Sequence, residues 1–443
     1  MSAPVVLSLK EWETHKPTEK SPLRGLSLRD LDANPAVIEK LNEARLLKVT
    51  ELRTGLALET NSYVGRLNIG HLQLTIHPKI DASSLLRLLR YAYGFRKLKL
   101  ISQTTHLVEQ YGFEDLLIAQ LLAEVEELIA RGLSRAYRPV EERLALPRGR
   151  INVLQLTRDA GTITATLPCR HFPRVEDILL NQVLLAGLRL AARMANLKEL
   201  RREAHRLAAQ IDEQVSAVSL NAALLDRAEH QLNRMTTAYS AAITIIRTLY
   251  CSQGVLLEGM HSPTPLPGFL FDMNAFFQAL LSRFLRDYLP QYDVQDEHGL
   301  KGMMRYLSRY NPQQRHSPTP RPDFAIFHNG QLLMLLDAKY RDLWEKKLPR
   351  EMLYQLTVYA ISQHRNPASA ILYATTNSAA REQRIVITDP IFGHQLGQVS
   401  LRPVNLNRIE ELITCGTATS RREGEQLARE LIMGKDYMAS PGF

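Results

Sequence analysis

The pair Pro322-Asp323 stands fourteen positions ahead of Asp337-Ala338-Lys339 (Asp323 to Asp337), with His328-Asn329-Gly330 between them. Asn-Gly flanked by apolar runs is the signature of a β-hairpin. Because side chains alternate faces along a strand, the turn length decides whether the two carboxylates can act together. A two-residue Asn329-Gly330 turn puts Asp323 and Asp337 on opposite faces. A three-residue turn over His328, Asn329 and Gly330, with the glycine left-handed in a bulge, sets Asp323 against Leu335 and makes Asp337 its diagonal neighbour. The three-residue turn is the expectation. Alternation then adds Lys339 to the same face, bringing two carboxylates and an ammonium within roughly 5–8 Å of one another.

The setting makes this group expensive, since Leu332 to Leu336 is apolar on both faces and reads as a strand central in a sheet. Two carboxylates held there repel each other unless a cation sits between them. Mg²⁺ is the natural partner, taking an oxygen from Asp323, one from Asp337, the backbone carbonyl of Ala338 and water. A metal-bound water of lowered pKa, oriented or deprotonated by Lys339, is suited to in-line attack on a phosphodiester. The plainer reading of the same residues is an Asp–Lys ion pair at a strand end.

Farther along, Gln355 and Tyr359 lie four apart, on one face of the helix that follows the strand. Pro322-Asp323, Asp337-Ala338-Lys339 and Gln355 to Tyr359, in that order, resemble the PD-(D/E)xK nucleases that carry a Q-x-x-x-Y helix. The resemblance implies that Gln355 approaches the DNA backbone or the metal waters and that Tyr359 supports it. Val64 to Gly70, Ile76 to Ile80, Arg131 to Leu133 with Tyr137, Pro147 to Ile151, Asn181-Gln182 and Phe271 to Phe277 extend the likeness. Together these stretches resemble the McrC family, the nuclease subunits of McrBC modification-dependent restriction systems. That resemblance implies a Mg²⁺-dependent endodeoxyribonuclease acting on double-stranded DNA that carries modified cytosine, docked on a McrB-like AAA+ GTPase hexamer whose hydrolysis it stimulates. One departure stands out: Gln278 occupies the place where the family usually has a glutamate near the metal, and an amide adds no negative charge. The alternative is therefore an adaptor that activates the motor and has a weak or inactive nuclease centre.

The elements that must position these residues are legible in outline. Met273 to Tyr288 and Pro349 to Gln363 have helical periodicity; Arg321 to Phe327, Leu332 to Tyr340, Ala370 to Thr375 and Arg384 to Ile387 read as strands. Three prolines and a glycine between Ser262 and Gly268 mark a boundary. The expected architecture is multidomain α+β: a β-rich N-terminal adaptor over 1–110, a mainly helical middle over 111–261, and an α/β PD-(D/E)xK domain over 262–443 that folds without the rest. In the first region Val64, Leu67 and Ile69, then Leu72, Leu74 and Ile76, alternate around Gly70-His71, and a helix capped by Ser84 follows. In the middle, helices are expected over Gly112 to Gly132, Asn181 to Leu207 and Ala222 to Tyr250.

With 55 Lys and Arg against 46 Asp and Glu, the net charge of +9 suits a polyanionic partner without deciding for one. The three cysteines lie far apart, so neither a disulfide framework nor a zinc site is supported. No phosphate-cradling G-x-x-x-x-G-K-[ST] is present, which agrees with a separate motor subunit. No apolar run is long enough to span a membrane and Met1 to Lys10 lacks the layout of a signal peptide, so a cytoplasmic protein is expected. Arg148-Gly149-Arg150 forms a basic turn that could reach DNA phosphates or the partner's nucleotide; the competing reading pairs its arginines with nearby acids. The β-rich stretch 46–80 and this turn are the expected docking surface for the motor.

Overall fold

A computed structural model describes residues 5–94, 113–158, 165–252, 268–363 and 367–435. The chain forms two compact units, one made of Met1–Lys97 with Gly254–Phe443 and the other of Leu98–Gln253. Where the sequence suggests three successive regions, its first and last thus belong together. The expected boundary at Ser262 to Pro267 falls outside the described residues.

The union is made by backbone pairing. Strands Tyr63–Ile69 and Leu72–His77 form the expected hairpin around Gly70, and Val5–Lys10 adds parallel to Leu72–His77. The fourth strand, Gly268–Asp272, comes from far along the sequence and pairs antiparallel with Tyr63–Ile69. Gly65, at φ 133°, permits that approach: a Cβ there would lie 2.1 Å from the Phe269 carbonyl oxygen. Alternation puts Leu67, Ile69, Leu72, Leu74 and Ile76 into a core shared with Leu41, Leu47, Leu56 and Leu58 from the neighbouring helix and three-stranded sheet. The next helix, Ala82–Tyr93, is capped by Asp81 and not by Ser84; Asp81 accepts from the Ser83 and Ser84 amides. A carboxylate at that end also meets the helix dipole favourably, which a hydroxyl does not.

The C-terminal part is a six-stranded sheet in the order Asp293–Asp296, Phe324–His328, Gln331–Lys339, Ala368–Thr375, Gln395–Asn405, Gln383–Thr388. Its three middle strands run parallel. Gln395–Asn405 has no clean apolar period, which hid it in the sequence, yet it holds an inner position and leaves Gln383–Thr388 on the edge. Its buried Arg402 pairs with Glu382 and donates to the carbonyls of Leu431 and Ile432, closing the end of helix Ala418–Met433. Helix Arg350–Ile361 covers one face of the sheet, where Leu356 and Tyr359 pack with Ala325, Leu335, Ile371 and Val399.

The second unit is helical, with Phe113–Arg131 close to its expected span. The long pattern from Asn181 to Leu207 is cut into Leu179–Met194 and Lys198–Asp212 at Asn196, whose backbone and side chain donate to Asp115 and whose side chain also reaches Glu114. The pattern from Ala222 breaks at Asn233, which accepts from the amides of Met235 and Thr236 in place of a helical turn. Arg150–Ile151 and Leu167–His171 are strands, joined with Val140–Leu144 in a small sheet.

Within the first unit the N-terminal turn is fastened to the far end of the central strand. Trp12 Nε1 donates to the Tyr340 carbonyl at 2.9 Å, and the Tyr340 hydroxyl donates to Glu11 at 3.0 Å. A fragment beginning at Gly268 therefore lacks both the sheet partner of its first strand and this anchor. Contrary to the sequence-based expectation, it should show no cooperative unfolding in urea, while the full chain does; an equally cooperative fragment contradicts the shared unit.

Glu11 also predicts a pH effect. Burial pushes its carboxyl up from 4.5 to about 7, the hydrogen bonds from Lys79 and Tyr340 offsetting this only in part. A carboxyl raised in the folded chain holds a proton that the unfolded chain has already released. Its contribution is full below about pH 4.5 and is lost as pH rises through about 7. That loss amounts to about 3 kcal/mol. Glu11→Gln should melt several degrees above the parent at pH 8, with the gap closing towards pH 5; a gap independent of pH contradicts this.

Candidate active site

The hairpin that carries the carboxylates is built differently from the three-residue turn expected for it. Asn329 and Gly330 have φ of 51° and 75°, a two-residue turn of the type whose twist suits a hairpin. His328 pairs with Gln331 and Phe327 with Leu332, after which the register shifts and Ile326 pairs with Met334. Leu333 is the additional residue of a β-bulge. The turn alone would send Asp323 and Asp337 to opposite faces, and the bulge cancels that slip. Phe324 pairs with Leu336, so Asp323 comes directly opposite Asp337 instead of diagonal to it.

Three groups consequently meet on the face covered by helix Arg350–Ile361. Lys339 Nζ lies 2.8 Å from Asp337 and 3.7 Å from Asp323. Asp323 accepts from the Ala338 amide at 2.7 Å, which fixes the first carboxylate to the second strand's backbone. Asp337 is 2% exposed. Burial, then the charge of Asp337, push the Asp323 carboxyl up to about 6 despite Lys339 and the Ala338 amide. Burial works against the Lys339 ammonium, but Asp337 and Asp323 outweigh it and raise its pKa.

Helix Arg350–Ile361 supplies the next layer. Gln355 Nε2 donates to the Tyr359 hydroxyl at 2.8 Å and reaches Asp337 at 3.4 Å; the Tyr359 hydroxyl donates to the Arg321 carbonyl at 2.9 Å. The i, i+4 pair thus ties Asp337 to the backbone that delivers Asp323. Gln278 makes no hydrogen bond to either carboxylate; its neighbour Phe277 packs edge-on to Tyr340, of opposite parity to Asp337 along the strand.

The sequence reading missed Asn274, which donates to Ser62 and accepts from the Tyr340 amide, linking helix Met273–Tyr288 to the end of the active strand. Its signal was present in Asp272-Met273-Asn274, where Asp272 caps the helix. Missed too were Glu11 and Trp12, whose roles depend on a tertiary contact and leave no local pattern.

The donor set fits a hard divalent cation: two carboxylates directly opposite one another, Asp337 buried and Asp323 partly exposed, with a single ammonium between them and one carboxyl already forced towards its neutral form. Among the described residues no cluster of three or more His, Cys, Asp or Glu gathers, so the pair Asp323 and Asp337 is not joined by a third such side chain. Arg148 and Arg150 lie in the second unit, exposed and, among the described residues, without an ion pair. Their turn depends on Gly149, at φ 72°, where a Cβ would sit 2.4 Å from the Arg170 carbonyl oxygen.

Comparison with known proteins gives a coherent result. A chain of the refined half-complex from the tetradecameric assembly of Thermococcus gammatolerans McrB AAA+ hexamers with bound McrC covers 97% of this chain and 100% of its own length, at TM-score 0.58 and 17% identity. A chain of the cryo-EM structure of the T. gammatolerans McrBC complex covers 64% of this chain and 88% of its own, at TM-score 0.45 and 18% identity, and the likeness of fold rests on the first. No significant match to a curated protein was found. The model of the McrBC 5-methylcytosine restriction system component matches residues 58–374, the span that holds both the N-terminal hairpin and the Asp323–Asp337–Lys339 cluster, and the chain therefore belongs to that family.

Proposed function

We propose that this chain is the DNA endonuclease subunit of a modification-dependent restriction complex, a PD-(D/E)xK enzyme that hydrolyses phosphodiester bonds with Mg²⁺ while docked on a McrB-like AAA+ GTPase hexamer. The observation that carries the reading is the convergence of Asp323, Asp337 and Lys339 on one face, which two independent irregularities, turn and bulge, combine to produce. Asp323, Asp337 and the Ala338 carbonyl would hold Mg²⁺, which supplies charge stabilisation and an acidified water. Lys339, its pKa raised, is an ammonium at neutral pH and so orients the water and offsets phosphate charge instead of accepting a proton. Gln355 and Tyr359 keep Asp337 in place. The water oxygen bonds to phosphorus and gives up a proton to solvent as the ester P–O bond breaks, and the departing oxygen takes a proton from solvent, so that the protons balance. The substrate is double-stranded DNA bearing modified cytosine, in keeping with the family description, in a cytoplasmic setting. Among the described residues no helix is long and apolar enough to cross a membrane.

The docking reading draws on the second unit. Around the Arg148–Arg150 turn, Leu146, Val153, Leu154 and Phe172 are exposed, and helix Val153–Arg158 buries none of its side chains. Such an apolar patch ringed by arginines is suited to a protein partner, whereas the expected surface at 46–80 spends its apolar residues on its own core. The second reading, an activator with a weak centre, is favoured by one observation, the absence of a third acidic donor where Gln278 stands.

Asp337→Ala should lower Mg²⁺-dependent DNA cleavage by ~10²-fold or more while leaving stimulation of the partner's GTP hydrolysis within about twofold. Undiminished cleavage removes the chemistry from this cluster. Leu154→Asp, at a side chain exposed in this unit, should leave folding unchanged and weaken binding to the GTPase at least ~10-fold in a titration; unchanged affinity moves the docking surface elsewhere.

A further inference from the structure

Just beyond the active strand, cations gather that form no ion pair with a described acid. Arg341 follows Lys339 by two residues, at most about 7 Å of chain. Its guanidinium carbon lies 5.3 Å from the centre of the Trp12 ring, as does Lys346 Nζ, which also donates to the Trp12 carbonyl at 3.0 Å. Lys79 stands beside them, its backbone amide bound to the buried Glu11. Burial and the charges of Lys79 and Arg341 depress the Lys346 pKa, against the weaker pull of Glu59 and Glu345.

Among the described residues, none of Lys79, Arg341 and Lys346 forms an ion pair, although the chain has ion pairs throughout. The Arg341 Nε is buried and has no hydrogen-bond partner. Trp12, which holds two of the cations, is itself in the left-handed region at φ 59°, a conformation a bulky side chain rarely adopts. Like charges brought together around a strained residue are unfavourable until an anion arrives.

We propose that Arg341, Lys346 and Lys79, assembled on Trp12, form a phosphate-binding strip that carries the DNA backbone to or from Lys339. The proposal rests on the DNA-cleaving reading above and extends it: the N-terminal region, by contributing Trp12 and Lys79, becomes part of the substrate surface. DNA is favoured over an acidic protein because the strip starts two residues from the site where a phosphodiester would be cut, so a strand held at one is presented to the other. Contacts of this kind position the duplex and are blind to base sequence.

The test is binding of a fluorescent 30-base-pair duplex to the full chain, without divalent metal, as anisotropy over a range of salt concentrations. Each phosphate contact contributes about 0.9 to the slope of log K against log salt. Lys79→Gln and Lys346→Gln should each lower the slope by about one and weaken binding several-fold, equally for methylated and unmethylated duplex, while Lys79→Arg retains both. Lys79 is exposed, so its variants report even if Lys346→Gln disturbs the fold. Unchanged slope and affinity in Lys79→Gln overturn the proposal, as does a parent chain that binds no DNA. Loss of polyglutamate binding with DNA binding intact also overturns it, in favour of an acidic protein. Reduced slopes in a chain that never cleaves DNA would support the strip and reject the nuclease reading, so the two failures are distinct.

Discussion

Asp323 and Asp337 face each other across a hairpin, the second buried and the first partly exposed, and containing their repulsion is the task the surrounding structure shares. Each neighbouring group bears on it. The Ala338 amide and Lys339 draw on Asp323, Lys339 and Gln355 draw on Asp337, and Tyr359 anchors Gln355 to the chain that delivers Asp323. The balance remains incomplete, since Asp323 is still pushed towards its neutral form. A site left short of positive charge in this way is poised for a cation, and the protein folds around that deficit instead of removing it.

The deficit also explains why the strand end is held so firmly. Tyr340 immediately follows Lys339, and three residues grip it: Asn274 by its amide, Trp12 by its carbonyl, Glu11 by its hydroxyl. Two of those come from the N-terminal turn. The N-terminal region is thus structural support for the candidate site as well as a neighbour of it, which is why the first and last regions share one unit.

Much of the site was legible in the sequence because its signals are local. Pro322-Asp323, Asp337-Ala338-Lys339 and Gln355 with Tyr359 are each set by strand or helix period, and the structure brings them together. The details that failed are those in which two local rules interact. The Asn329-Gly330 turn and the Leu333 bulge each reverse the facing of the carboxylates, and only their product returns them to one side; a three-residue turn reached a similar outcome by a different route. Strand Gln395–Asn405 was overlooked because a buried arginine and a proline interrupt its apolar pattern, and the pairing of Gly268–Asp272 with Tyr63–Ile69 because nothing in either segment announces a partner so distant.

That last pairing has a consequence for synthesis. Strand Tyr63–Ile69 emerges from the ribosome with one edge open, and the strand that covers it follows only after the entire second unit has been made. At ~5–20 residues per second, about 200 intervening residues leave that edge uncovered for on the order of 10–40 s. During this interval the nascent hairpin presents unpaired amides and carbonyls to any other strand, including its counterpart on a neighbouring nascent chain. Gly65, whose missing side chain lets the late strand approach, also leaves the waiting edge unguarded, so an N-terminal region released early by truncation or pausing would be the aggregation-prone piece of this protein.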